Sequence, residues 1–133
     1  MSARQQAGYQ VISTRMHGIE DYALVVLLLV APYLFGFANN TAAQYVPQIV
    51  GLMILGVSLM TRYELGLMGI IPMPMHLVLD AGAAPVLAAS PWLFGFSNFV
   101  YLPHLILGLG ELMVVALTET QPRRVPGGTA ARA

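Results

Sequence analysis

His17-x-x-x-Asp21 and His76-x-x-x-Asp80 are the residues of this chain best suited to chemistry. A spacing of four puts the imidazole and the carboxylate on one helical face. Two imidazoles and two carboxylates brought together can bind a divalent metal or relay protons. Kept apart, each pair is a His–Asp hydrogen bond that fixes the start of its helix. Glu111 comes next. It stands in Leu107-Gly108-Leu109-Gly110-Glu111-Leu112-Met113, near the middle of an apolar segment. A lone carboxylate at that depth is costly unless it is protonated or paired. His104 lies seven positions earlier, on nearly the same face, and Asp80 with the Ala81 carbonyl freed by Pro85 is the expected partner. Glu111 is thus either an ion- or proton-carrying acid or a protonated acid bonded to a freed carbonyl, and Asp21, Asp80, Glu111 and His104 are the candidate polar site.

Other chemistries find no support. There is no Gly-rich phosphate loop, no His-Glu-x-x-His and no Ser nucleophile elbow. Cysteine is absent, which removes disulfides, thiolate metal sites and a cysteine nucleophile. The three histidines are too scattered to imply haem. An enzyme is therefore not expected, and the identity of any cofactor is left open.

The elements that hold these residues repeat. Ala31-Pro32-Tyr33-Leu34-Phe35-Gly36-Phe37 returns as Ser90-Pro91-Trp92-Leu93-Phe94-Gly95-Phe96, and the same offset carries His17 onto His76 and Asp21 onto Asp80. The chain reads as a tandem duplication. Pro32 and Pro91 each remove a helical hydrogen bond near a helix end, freeing the Leu28 and Leu87 carbonyls, and the Ser90 hydroxyl is a candidate partner. Tyr33 and Trp92 suit headgroup depth, while Gly36 and Gly95 let the chain turn out of the helix. This motif shapes and anchors a helix end, or else lines an outward-facing pocket. With its literal Ser90-Pro91-Trp92, the chain resembles the SPW-repeat family of small bacterial and archaeal membrane proteins, over about residues 17 to 118. The resemblance implies a membrane topology and no particular activity.

Composition points the same way. Of 133 residues, 57% are hydrophobic and only 9% charged, with net charge zero and mean hydropathy +0.71, where soluble domains carry roughly 25% charged residues. No basic face suggests nucleic acid. Four apolar segments emerge, at about 17–37, 45–60, 75–96 and 102–118. The expected fold is all-α: a polytopic membrane protein with four transmembrane helices, arranged as two tandem hairpins in parallel pseudo-twofold repeats. The parts are an N-terminal tail (1–16), too polar for a secretory signal, repeat 1 (17–61), an apolar interfacial loop (62–74), repeat 2 (75–118) and a disordered tail (119–133). Every arginine (Arg4, Arg15, Arg62, Arg123, Arg124, Arg132) falls on one side of this arrangement. The positive-inside rule then makes both termini cytoplasmic and the site the inner membrane.

Three functions fit. The first is a structural or accessory membrane protein that self-associates or packs with a membrane partner in the lipid bilayer. The second is a small proton, ion or solute transporter using Glu111 and Asp80. The third is a metal- or apolar-cofactor-binding protein using His17/Asp21 and His76/Asp80, with His17 and His76 as metal ligands.

Overall fold

Four stretches of the chain satisfy their backbone groups as helices, and local signals set their ends. The structure, a computed structural model, describes residues 9–122. It contains α1 (Thr14–Leu34), α2 (Ala42–Met60), α3 (Met73–Leu93) and α4 (Leu102–Leu117). Among the described residues there is no strand beyond isolated bridges. The all-helical expectation holds, with shifted boundaries. α1 starts at Thr14 rather than near His17, because the Ser13 side chain caps it by accepting from the Met16 N–H at 3.2 Å. α3 starts at Met73, behind Pro72 and with Pro74 in its first turn. Residues 1–8 of the expected N-terminal tail and residues 123–133 of the expected disordered tail, with Arg4, Arg123, Arg124 and Arg132, lie outside the described residues.

The repeated motif is a helix stop. α1 and α3 end at Leu34 and Leu93, and the following Gly36 and Gly95 adopt φ +75° and +74°. The Phe37 N–H then bonds the Pro32 carbonyl and the Phe96 N–H the Pro91 carbonyl, each at 2.8 Å. That 6→1 closure around a left-handed glycine satisfies carbonyls the helix end would strand. The Ser90 hydroxyl donates to the Leu87 carbonyl at 2.7 Å, the bond that Pro91 removes. Ala31, its counterpart, has no hydroxyl. Tyr33 and Trp92 are exposed.

The second hairpin helices follow an offset of 57 rather than 59, because α4, at 16 residues, is shorter than α2, at 19, while the loop before it is one residue longer. Thr61 maps onto Thr118 and Gly51 onto Gly108. These glycines are the points of closest helix approach. A Cβ on Gly108 would lie 2.5 Å from Ala88 N and 2.7 Å from Ala84 O, and one on Gly51 would lie 3.1 Å from Leu28 Cβ. Small residues that let backbones touch are the usual device for joining helices in lipid. The hairpins α1–α2 and α3–α4 pack most closely, α2 against α3 less so, and α1 against α4 less again.

The hairpins close on each other at one end. The Ile12 N–H bonds the Leu117 carbonyl, and the Glu119 N–H bonds the Ile12 carbonyl. The repeat-related pair is Ile71 N–H to the Met60 carbonyl and Arg62 N–H to the Ile71 carbonyl. The starts of α1 and α3 are thus each stitched to the end of the other hairpin.

The distribution of polarity is inverted relative to a water-soluble protein. Val26, Val30, Ile49, Leu52, Val78 and Ile106 face outward, whereas His17, Asp21, His76, Asp80, His104 and Glu111 are buried. An apolar exterior around a polar interior is what a lipid solvent selects. α1 and α2 are long and apolar enough to cross a membrane, and α4 is shorter. The 62–74 connection exposes Leu67, Met68 and Ile70.

Gly108→Ala is expected to lower stability in detergent by about 1–3 kcal/mol, since the rigid Ala84–Ala88 backbone cannot yield. Gly110→Ala, with nothing within 4 Å of the new Cβ, is expected to hold or raise it. Unfolding both variants in mixed micelles checks the contrast.

Candidate metal centre

His17 and Asp21 occupy the first two turns of α1, and His76 and Asp80 the first two turns of α3. The pseudo-twofold relation brings all four to one point. His17 Nε2 lies 3.2 Å from His76 Nε2, 3.2 Å from Asp21 Oδ1 and 3.1 Å from Asp80 Oδ2. His76 Nε2 lies 3.0 Å from Asp21 Oδ2 and 2.8 Å from Asp80 Oδ2. All four side chains are buried, none more than 3% exposed. The spacing of four therefore does more than pair each histidine with its own aspartate.

Two threonines fix the rings. The Thr118 hydroxyl donates to the Val114 carbonyl at 2.6 Å, and Thr61 donates likewise to Val57 at 2.7 Å. With the hydroxyl protons committed, each oxygen is left to accept. It accepts from the ring beside it: His17 Nδ1 at 2.9 Å from Thr118 Oγ1, and His76 Nδ1 at 2.7 Å from Thr61 Oγ1. Both Nδ1 atoms therefore carry the proton, and both Nε2 atoms turn inward. The pairing is crossed: His17 of the first repeat is held by Thr118 of the second, and His76 of the second by Thr61 of the first.

This leaves more convergence than protons can serve. Each Nε2 has three polar neighbours within 3.2 Å, and one N–H can point at only one of them. Asp21 Oδ1, although 3.2 Å from His17 Nε2, has no hydrogen-bond partner. Four donors around a tetrahedral ion, at bonds of about 2.0–2.1 Å, stand about 3.3 Å apart. The observed separations are close to that figure. Imidazoles whose other nitrogen donates to a fixed oxygen are the usual supporting arrangement for metal-bound histidine.

Supporting groups complete the pocket. The Ser58 hydroxyl donates to Asp21 Oδ2 at 3.0 Å. The Tyr63 ring packs 5.6 Å from the His76 ring and fills the space above Gly18, where a Cβ would lie 2.6 Å from it. Burial pushes the Tyr63 phenol above its ordinary value, so it stays neutral. Thr14 donates to the Glu64 carboxylate, at 2.8 and 2.9 Å from its two oxygens, and ties α1 to the connecting loop.

The other expected site residues separate. Glu111 groups with Glu20 and Asp21, each offering an oxygen within 4.8 Å of the others. Its expected neighbour Asp80 belongs to the His–Asp set instead. His104 sits at the far end of α4, its ring 5.1 Å from Phe37 and 4.9 Å from Phe96, with Nε2 2.8 Å from the Ala43 carbonyl. It is a helix-end contact and joins neither cluster. Pro32, Tyr33, Gly36, Ser90, Pro91, Trp92 and Gly95 likewise belong to the opposite end. Sequence reasoning missed Thr61, Thr118, Ser58 and Glu20. The shared position of Thr61 and Thr118 at the ends of the second and fourth apolar segments was the available signal.

The SPW repeat domain matches residues 15–118 of the chain. No curated protein and no solved structure matches it.

Thr118→Val and Thr61→Val keep shape but strand a buried Nδ1–H, so each is expected to cost about 1–3 kcal/mol. Thr118→Ser, which retains the hydroxyl, is expected to recover most of the loss. Thermal unfolding in detergent distinguishes the pair.

Proposed function

The chain belongs to the SPW repeat family, and from that premise we propose that it is a four-span membrane protein holding one divalent transition-metal ion between its two repeats. The observation that carries the reading is the threonine-fixed tautomer of both histidines. It leaves two Nε2 atoms and two carboxylates at the separations of one coordination shell. Two neutral imidazoles and two carboxylates balance one divalent charge, so the filled site is neutral inside an apolar bundle. Nitrogen and oxygen donors in this ratio suit zinc, iron(II) or manganese(II).

The role we assign is structural and non-enzymatic. Structural metal sites use four protein donors and close them off, while catalytic ones keep a position open. Here all four ligands are buried and come in equal number from the two repeats. An ion at this point joins the hairpins where they meet, and the outward apolar surface is left for lipid, a second copy or a membrane partner. This unites the accessory and metal-binding readings. The four-span topology rests on the inverted polarity and the one-sided arginines. It places the centre toward the cytoplasmic side of the inner membrane.

Protein purified in mild detergent without chelator is expected to carry one metal ion per chain by native mass spectrometry and elemental analysis. Asp80→Asn and His76→Ala are each expected to abolish it while the helical content is retained. A wild-type protein that is metal-free and takes up no zinc on addition contradicts the reading. A reporter fused after Ala133 should report a cytoplasmic location, and an external one would overturn the topology.

A further inference from the structure

Beside this centre lies a second convergence, of which the proposed single ion uses only Asp21. Glu20 and Asp21 of α1 and Glu111 of α4 each place a carboxylate oxygen within 4.8 Å of the others. Glu111 is 3% exposed, and neither of its oxygens has a hydrogen-bond partner. Glu20 Oε2 is also buried and unpartnered. Three carboxylates this close in an apolar bundle cannot all stay ionised unless positive charge stands between them.

The duplication supplies an internal control. Glu20 corresponds to Leu79, and Glu111 corresponds to Ile54 at the offset shared by Thr61/Thr118 and Gly51/Gly108. In the other half, Leu79, Ile54 and Asp80 line an apolar crevice of about 60 Å³. The fold therefore builds this corner with Asp80 as its one acid and apolar side chains at the positions of Glu20 and Glu111. The acidic corner also lies on the α1–α4 seam, which packs far less closely than either hairpin, where an ion can be accommodated without parting close-packed backbones.

We infer that Glu20, Asp21 and Glu111 form a second divalent-cation site that shares Asp21 with the His17–Asp21–His76–Asp80 site, making a dinuclear centre. The inference rests on the reading of the first site. Its donors are all carboxylate oxygens, so it takes a hard cation such as manganese(II), iron(II) or magnesium. Charge closes: Glu20, Asp21, Asp80 and Glu111 carry four negative charges, and two divalent ions carry four positive. A carboxylate shared by two ions sets them roughly 3.5–4 Å apart, close enough for their electron spins to couple.

The test uses the full-length protein, stripped with chelator in detergent and titrated with manganese(II), followed by electron paramagnetic resonance. Wild type is expected to bind two ions per chain, with a broadened, coupled spectrum. Glu111→Gln and Glu20→Gln are expected to bind one, with the six-line spectrum of an isolated ion. If Glu111→Gln does not fold, the half-buried Glu20 supplies the variant. One ion in wild type and variants alike overturns the second site and leaves the first standing. Two uncoupled ions, or two ions retained in the variants, also overturn it. No ion in the wild type overturns both readings.

Discussion

Two carboxylates and two imidazoles buried in an apolar bundle must compensate one another, and the rest of this structure is arranged around that requirement. A buried charge left alone is worth several kcal/mol against folding. Neither repeat can solve the problem by itself, because each supplies one histidine and one aspartate. Compensation is complete only when α1 and α3 meet, so the cluster makes the association of the hairpins a condition of folding. The crossed threonines strengthen this. Each ring is oriented by the helix end of the other repeat, and the backbone stitches at Ile12 and Ile71 hold those helix ends in place.

Duplication then explains both the order and the exceptions. Where the halves agree, the residues serve the shared frame: the glycine-closed helix stops, the close approaches at Gly51 and Gly108, and the histidine–threonine pairs. Where they differ, one half has been adapted. Ser58, which donates to Asp21, has Val115 as its counterpart, and Glu20 and Glu111 face Leu79 and Ile54. These three polar departures surround Asp21. This asymmetry is local and chemical, since the backbone stitches and the glycine-closed helix stops recur in both halves.

The sequence made the frame legible because its signals are local or periodic. Apolar segments, proline and glycine punctuation and the repeat offset locate four helices to within a few residues. The histidine–aspartate pairs stood out because they share that offset. What stayed hidden depends on how the hairpins face each other. Thr61 and Thr118 look like ordinary helix-end residues until the crossing of the repeats sets them against His76 and His17. Glu20, adjacent to Asp21, reads as part of a polar helix start, and only the side of α4 turned toward α1 shows it to be Glu111's neighbour. His104 shares a helix face with Glu111, but the separation along α4 puts it in a different layer, between two phenylalanines.

The central claim is that residues from both repeats hold one ion, and zinc X-ray absorption on protein loaded with a single equivalent tests it most directly. The account predicts a first shell of four light donors at about 2.0–2.1 Å, with the outer-shell scattering of two imidazole rings, and loss of the bound zinc in His17→Ala. A shell of six oxygens without imidazole scattering, unchanged by that substitution, would contradict it.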